Sequence, residues 1–269
     1  MANPMYRQIA EDLRGQIESG ALASGSQLPT ELELREHYNA SRNTVRDAIK
    51  WLTNLGLVET RPGQGTFVVE RKDPFVTTLS ADPKSGVGGG EGTSYLSEVS
   101  GQDRKPSTSP IQVEIQEALG VVAAGLWVTP GTEVISRHEK RYIDGTPWSM
   151  MTSFYPSEFA DRGADRLAKP RDIAEGTVRY LAETLHIRQV GYRDWITVRA
   201  PNATEVDFFK LPSDGRVPMY EIFRTAFDGN GQPMRLTITV YPADRNQFIY
   251  DLGEVPERQY QQDTGSHET

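Results

Sequence analysis

The sequence predicts a two-domain α+β protein, and three observations carry that prediction. Helical spacing dominates up to Asn54 and then gives way to two short alternating strands. The stretch "DPKSGVGGGEGTS", with Gly88, Gly89 and Gly90 at its centre, has linker composition. Beyond it, from Ile111 to Val255, alternating strands prevail with two helical stretches among them. The expected division is 1–72 for the first domain, 73–92 for a flexible linker, 93–255 for the second domain and 256–269 for a disordered tail.

The first domain can be read element by element. Tyr6, Ile9, Leu13 and Ile17 share one helical face, and Gly20 stops that helix. Pro29 ends an extended loop. Thr30 and Glu33 then form a T-x-x-E capping box for a second helix, whose apolar face is Leu34 and Tyr38. Asn39 suits the left-handed residue of a tight turn. Ser41 caps a third helix, in which Val45, Ala48, Ile49 and Leu52 make the core face before Gly56 ends it. "LVETR" and "TFVV" are strands joined by the turn "PGQG". Two helices, a tight turn, a third helix and a hairpin make a winged helix-turn-helix plan.

The second region contains an internal echo. "DGTPWSMMTSFYP" (144–156) and "GNGQPMRLTITVYP" (229–242) both run from a Gly-containing turn through a proline to Tyr-Pro. Each follows an alternating strand, "TEVISRHEKRYI" or "VPMYEIFRTAF", so two similar hairpins are expected in one antiparallel sheet. Between them, Ile173, Val178, Leu181 and Leu185 have helical spacing. "NATEVDFFKL" reads as a shorter helix capped by Asn202 or Thr204. The helices are expected on one side of the sheet.

Composition excludes several functions. No apolar run approaches the roughly 20 residues of a membrane-spanning helix. The N-terminus "MANPMYRQIAEDL" lacks the apolar centre of a secretion signal, which points to a cytoplasmic protein without membrane partners. There is no cysteine, and the four histidines lie far apart, so neither a metal site nor a cofactor is expected. The sequence contains no nucleophile elbow or Walker loop, and "GVGGGEG" lacks the dinucleotide order, so an enzyme is not expected.

The formal charge is -8. From Met1 to Lys72, however, nine Lys/Arg balance nine Asp/Glu, and the acidity belongs wholly to the remainder. A local basic face therefore remains compatible with nucleic acid, whereas a neutral domain argues against a sequence-independent DNA-organising protein. "SRNTVRDAIKWL" (41–52) supplies such a face. Near the start of its helix, Arg42, Asn43, Thr44 and Arg46 can reach base edges in a major groove, and Lys50, two turns in, is expected to contact a phosphate or nothing. Gly63 permits close backbone approach in the hairpin turn, and Gln64 is the natural probe there. The alternative is a solvated helix face.

The segment from Tyr6 to Val69, through L-P-T-E, S-R-N-T-V-R, G-L-V and G-x-G-T-F-V, resembles the DNA-binding domain of the GntR family of bacterial transcription regulators. The resemblance implies base contacts by Arg42, Asn43, Thr44 and Arg46 and a minor-groove contact at Gly63. Many members carry Arg where this chain has Leu32, and Arg35 is the expected substitute for phosphate contact.

"GQDRKPSTSP" (101–110), "PGTEVISRHEKRYIDGTP" (130–147), "FYP" (154–156) and "YPADRNQF" (241–248) resemble the effector-sensing domain of the HutC subfamily, called UTRA, which has a chorismate-lyase-like fold. Together the two matches imply a homodimeric repressor. It would bind a palindromic double-stranded DNA operator and be released by a small-molecule effector. The target could equally be a metabolic uptake operon or a mobile element's transfer genes. Phosphosugar-sensing members use an R-x-R pair where this chain has Glu139 and Arg141, with Arg137 on the same strand face. Their sugar-binding carboxylate falls at Met151 and a pocket tyrosine at Leu236. Arg137, Arg141 and Arg224 could hold a carboxylate or phosphate, with Trp148 and Met151 making the site more apolar. The competing reading is an ordinary ladder of paired charges over core aromatics. Asp244 and Arg245 are expected to be structural.

Overall fold

A computed structural model describes residues 4–69, 74–79, 98–212 and 214–250. The chain divides into two units, Met1–Asp73 and Pro74–Thr269. The Gly-rich centre of the expected linker and the expected tail lie outside the described residues.

In the first unit, α1 (Met5–Glu18) buries Ile9, Ala10 and Leu13. The capping box opens α2 (Glu31–Tyr38): the Glu33 N–H donates to Thr30 Oγ1 at 3.3 Å, and the Thr30 N–H donates to the Glu33 carboxylate at 2.7 Å. Asn39 takes the left-handed conformation at φ 47°, which turns the chain sharply into α3 (Arg42–Asn54). Ser41 caps α3 by accepting from the Thr44 N–H at 3.1 Å. On α3, Val45, Ala48 and Leu52 are buried and Ile49 is half-buried. These side chains meet α1, Leu28 and Leu34 in one core, where truncating a leucine to alanine costs about 2–5 kcal/mol.

Strands β1 (Val58–Arg61) and β2 (Gly65–Val68) form the antiparallel wing. The extended loop before α2 joins them: Leu28 N donates to Thr66 O at 2.7 Å, and Val68 N donates to Ser26 O at 2.8 Å. The wing is thereby fixed to the helices through the backbone.

The second unit begins earlier than its composition suggested. The segment after Pro74 is not linker but strand β3 (Phe75–Thr78). Phe75, Thr77 and Leu79 alternate inward, and Phe75 packs on Val99, Ile143 and Trp148. β3 pairs in parallel with a strand from the far end of the described chain, β11 (Asn246–Ile249).

The remaining strands are β4 (Pro106–Thr108), β5 (Gln112–Glu117), β6 (Glu133–Ile143), β7 (Thr146–Pro156), β8 (Gln189–Arg199), β9 (Met219–Asp228) and β10 (Pro233–Pro242). They form one sheet in the order β4-β6-β7-β10-β9-β8, with β5 also on β6. The two echoing hairpins are β6–β7 and β9–β10. Asp144 and Gly145, at φ 52° and 75°, make the tight turn of the first. The Asp228 carboxylate organises the second by accepting from the Asn230 and Gln232 N–H groups. The hairpins lie side by side, and Thr152 pairs with Ile238 at the centre of the sheet.

Helices cover both faces of this sheet, contrary to expectation. Val134, Phe154 and Leu236 face α4 (Gly120–Leu126). Their strand neighbours Ile135 and Tyr155 face the opposite way, into a core with Leu167, Tyr180 and Leu181. That core draws on α5 (Glu158–Asp161), a 3-10 turn (Asp165–Ala168) and α6 (Thr177–Leu185). Consecutive buried residues in β6 and β10 are the physical sign of a sheet covered twice. Ile173 lies in this core but precedes α6, which starts after Gly176 at φ 81°. Asn202, not Thr204, caps α7 (Ala203–Phe209).

Candidate nucleic-acid interface and effector cavity

The turn at Asn39 and the Ser41 cap set the start of α3 at the surface, with Arg42, Asn43 and Arg46 exposed. Glu31, at the start of α2, gathers the two arginines. Arg42 Nε donates to Glu31 Oε2 at 3.1 Å, and Arg46 Nε donates to Glu31 Oε1 at 2.9 Å. One carboxylate thus holds both guanidinium groups. The Arg46 hydrogen bond, with that of Arg42 beside it, keeps the Glu31 carboxyl below its ordinary value. Both pairs are exposed, so Glu31 orients the arginines more than it stabilises the fold. Thr44 is half-buried, and its hydroxyl shares a hydrogen bond with Ser41 Oγ at 2.8 Å, which ties it to the cap. Lys50 and Arg35 are exposed, and so is Leu32.

The wing tip is built from glycine for two separate reasons. Gly63 sits at φ 72° in open space. Gly65 sits at φ 120°, and a Cβ there would meet Gln27 Nε2 at 2.3 Å. That amide donates to Gln64 O at 2.9 Å and fastens the tip to the loop before α2. Gln64 itself is exposed.

In the second unit a cavity of about 440 Å³ opens on the sheet face that carries α6. Arg137, Glu139, Met151, Ser153 and Tyr155 line it from the β6–β7 hairpin, and Arg235 lines it from β10. The chain from Pro170 to Thr177 and the Thr108–Ile111 loop close its sides. Of the five expected residues, Arg137, Glu139 and Met151 come together here.

The other two do not line it. Arg141 is buried beside the cavity, donating from Nε to Glu139 Oε1 at 3.3 Å and lying against Met151 Sδ at 3.2 Å. Arg224 is taken up by Asp194 through bonds of 2.7 and 2.6 Å, and it stacks on Tyr192. Trp148 is also a core residue, packed on Phe75. Even Arg137 is partly committed: it donates to the carbonyls of Arg166, Leu167, Lys169 and Arg171, and burial pushes its guanidinium below its usual value.

Arg235 was missed by sequence reasoning. It is 4 % exposed, and its Nη2 donates to Gln189 Oε1 at 3.2 Å. A cation in the alternating run "PMRLTITVYP" was the available signal. Arg245, as expected, is structural: it holds Asp244 and donates to the carbonyls of Pro147 and Phe209. Among the described residues there is no cluster of metal-ligating side chains, and no helix long and apolar enough to cross a membrane.

A capped helix presenting two arginines beside a glycine-built wing defines a DNA-binding protein of the winged helix-turn-helix class, here with a ligand-sized cavity in its second unit. The chain belongs to the GntR family. The model of that family of bacterial regulatory proteins matches residues 5–68, and the UTRA domain model matches 101–247. It is therefore a DNA-binding transcription regulator with an effector-binding UTRA domain.

The chain is 30% identical over 245 residues to the HTH-type transcriptional regulator RB1450 of Rhizobium meliloti (strain 1021), covering 91% of this chain and 93% of that one. It is 25% identical over 247 residues to the HTH-type transcriptional repressor NagR of Bacillus subtilis (strain 168), covering 92% and 94%. A crystal structure of a GntR-family transcriptional regulator matches with a TM-score of 0.68 at 26% identity, covering 94% of this chain and 99% of that one. These relatives are named as regulators, not enzymes.

Proposed function

We propose that this chain is a homodimeric repressor of the HutC type, bound to a palindromic operator and released when a small anionic effector fills the β6–β7 cavity. The observation that carries the DNA half is the shared hold of Glu31 on Arg42 and Arg46 at a capped helix start. Held arginines can present their outer nitrogens to guanine edges, while Asn43 and Gln64 reach neighbouring groups and Lys50 and Arg35 meet phosphates. The repressor role is supported by the name of the NagR relative.

For the effector, Arg235 and Arg171 supply positive charge in the cavity, and Ser153, Tyr155 and Thr177 supply hydroxyls. Glu139 and Met151 stand where a phosphosugar-sensing member would carry other groups, so the favoured ligand is a carboxylate or phosphate on a less hydroxylated body. Linkage requires that such a ligand weaken DNA binding by its own preference for the arrangement that cannot bind DNA.

The test is a metabolite screen for thermal stabilisation of the purified chain, followed by titration of each hit against a complex with its own upstream DNA. A stabilising anion that releases that DNA, but not random duplex, supports the reading. Equal affinity for upstream and random duplex at fixed salt overturns it.

A further inference from the structure

The loop before α2 touches both parts of the DNA-binding surface. At one end, Gln27 lies beside β2. It forms an isolated antiparallel bridge with Phe67, and its Nε2 donates to Gln64 O at 2.9 Å. At the other end stands Glu31, which holds Arg42 and Arg46. Leu28, Pro29 and Thr30 are all that separates the two.

Each of these three is fixed. Leu28 is 3 % exposed in the core of the first unit, and its N–H donates to Thr66 O at 2.7 Å. The Pro29 ring sets its own φ. Thr30 is locked by the capping box with Glu33. Residues 27–31 are therefore a short strut, with the wing tip on one end and the recognition arginines on the other.

The tip needs such a hold. In the turn 62–65, Pro62 has no N–H to donate, and Gly63 and Gly65 leave the backbone free to adopt many conformations. Gln64 N donates to Arg61 O at 3.0 Å, which closes the turn, and Gln64 O accepts from Gln27. The exposed Gln64 side chain thus extends from a backbone held at both of its polar groups. Gly65 completes the fit. A Cβ there would meet Gln27 Nε2 at 2.3 Å, so the amide occupies space that only glycine leaves open.

We propose that Gln27 is a positioning residue for DNA reading. Its amide sets the wing tip, and residues 27–31 hold that tip in register with Arg42 and Arg46, so that one probe meets each groove at a fixed spacing. Gln27 acts through Gln64 and not through a DNA contact of its own. This rests on the reading that the wing enters the minor groove and the helix the major groove, and it adds what keeps the two together.

The test is a dimethyl sulfate footprint of the full chain on its own upstream DNA. The reagent methylates guanine N7 in the major groove and adenine N3 in the minor groove, so one experiment reports both contacts. The wild-type chain is expected to protect bases of both kinds. Gln27→Met keeps the reach of the side chain and removes the donor. It should lose the adenine protection and keep the guanine protection. The ratio of operator to random-duplex affinity should fall about 3–10-fold, the worth of one hydrogen bond. Gln27→Lys returns a donor to the same place and should restore the adenine protection. Gln27 is exposed, so both variants should melt close to the wild type.

A Gln27→Met chain that protects adenines as the wild type does overturns the proposal. So does one that loses both protections together, the mark of a general disturbance of the unit. A loss that Gln27→Lys does not repair overturns it as well, because the amide would then be touching DNA itself. A wild-type chain that protects guanines and no adenines overturns the minor-groove reading of the wing, and the role of Gln27 with it.

Discussion

Arg46 Nε donates to Glu31 Oε1 at 2.9 Å, which joins the third helix of the first unit to the start of the second. The carboxylate holds the guanidinium at Nε, and the Arg46 side chain remains 57% exposed. Replacing Arg46 with Ala should cost about 1–3 kcal/mol of operator affinity and little on random duplex. Replacing Glu31 with Ala removes a negative charge near the DNA and also frees the arginines. Random-duplex affinity should then rise while the specific-to-random ratio falls. Titration of both duplexes at one salt concentration checks both variants, and equal strengthening on both would refute the orienting role.

Leu32 is 58 % exposed on α2, where many family members carry Arg. Leu32→Arg should bind all duplexes more tightly and steepen the dependence of log affinity on log salt by about 1, the signature of one added phosphate contact. An unchanged salt slope would mean that this position does not face the backbone of DNA.

Gly65 should not tolerate a side chain, because its φ of 120° and the nearby Gln27 amide both oppose one. Gly65→Ala is expected to destabilise the first unit by about 1–3 kcal/mol and to weaken DNA binding through a displaced wing. Gly15, inside α1 with nothing near its Cβ position, gives the contrast. Gly15→Ala should stabilise by about 0.5–1 kcal/mol. Chemical denaturation of the two variants measures both signs.

Glu205 is 4 % exposed and is held by Arg199 at 2.6 Å and by the Asn202 N–H at 2.8 Å. Burial works to raise its pKa, but the Arg199 and Asn202 hydrogen bonds outweigh it, and the carboxyl lies below its ordinary 4.5. A carboxyl depressed by folding stabilises fully above its unfolded value and loses that contribution as pH falls through the folded one. Glu205→Gln should therefore cost about 1–3 kcal/mol at neutral pH. The gap from wild type should close below pH 4.5 in a pH series of thermal melts.

Arg235 and Arg224 make opposite predictions despite sharing a sheet face. Arg235 lines the cavity, so Arg235→Gln should raise the effector concentration needed for DNA release by about 10–100-fold, the loss of one charge-assisted contact. Arg224→Gln breaks the buried Asp194 pair and should lower the melting temperature without that shift. Effector titrations on both variants separate a ligand contact from a structural one.

The helical periods, the T-x-x-E box and Asn39 made the first unit almost wholly legible, because each rests on local chemistry. The two hairpins were legible through their turns and their repeated Tyr-Pro endings. What escaped depended on distant partners. β3 is a short strand that exists because Phe75 finds Trp148 and because β11 arrives from the far end of the described chain. β8 escaped because an edge with apolar groups on its outer side does not alternate cleanly. In the site, spacing put Arg137, Glu139 and Arg141 on one face, but only the cavity walls decide which of them a ligand can touch. Arg224 was misplaced for the same reason: the sequence did not reveal that Asp194 stood opposite it.

The repeat around Thr152 and Ile238 also bears on how many ligands this sheet face can hold. A duplicated hairpin unit should offer two equivalent hollows on one face of the sheet. One lies over Met151 and Ser153 and is open. Its counterpart, over Ile222 and Tyr241, is filled by Leu79 and Phe248, which β3 and β11 carry across. With that hollow filled, the proposed effector cavity has no open counterpart across the repeat among the described residues, and one effector per chain in this cavity is the expected outcome of a binding titration.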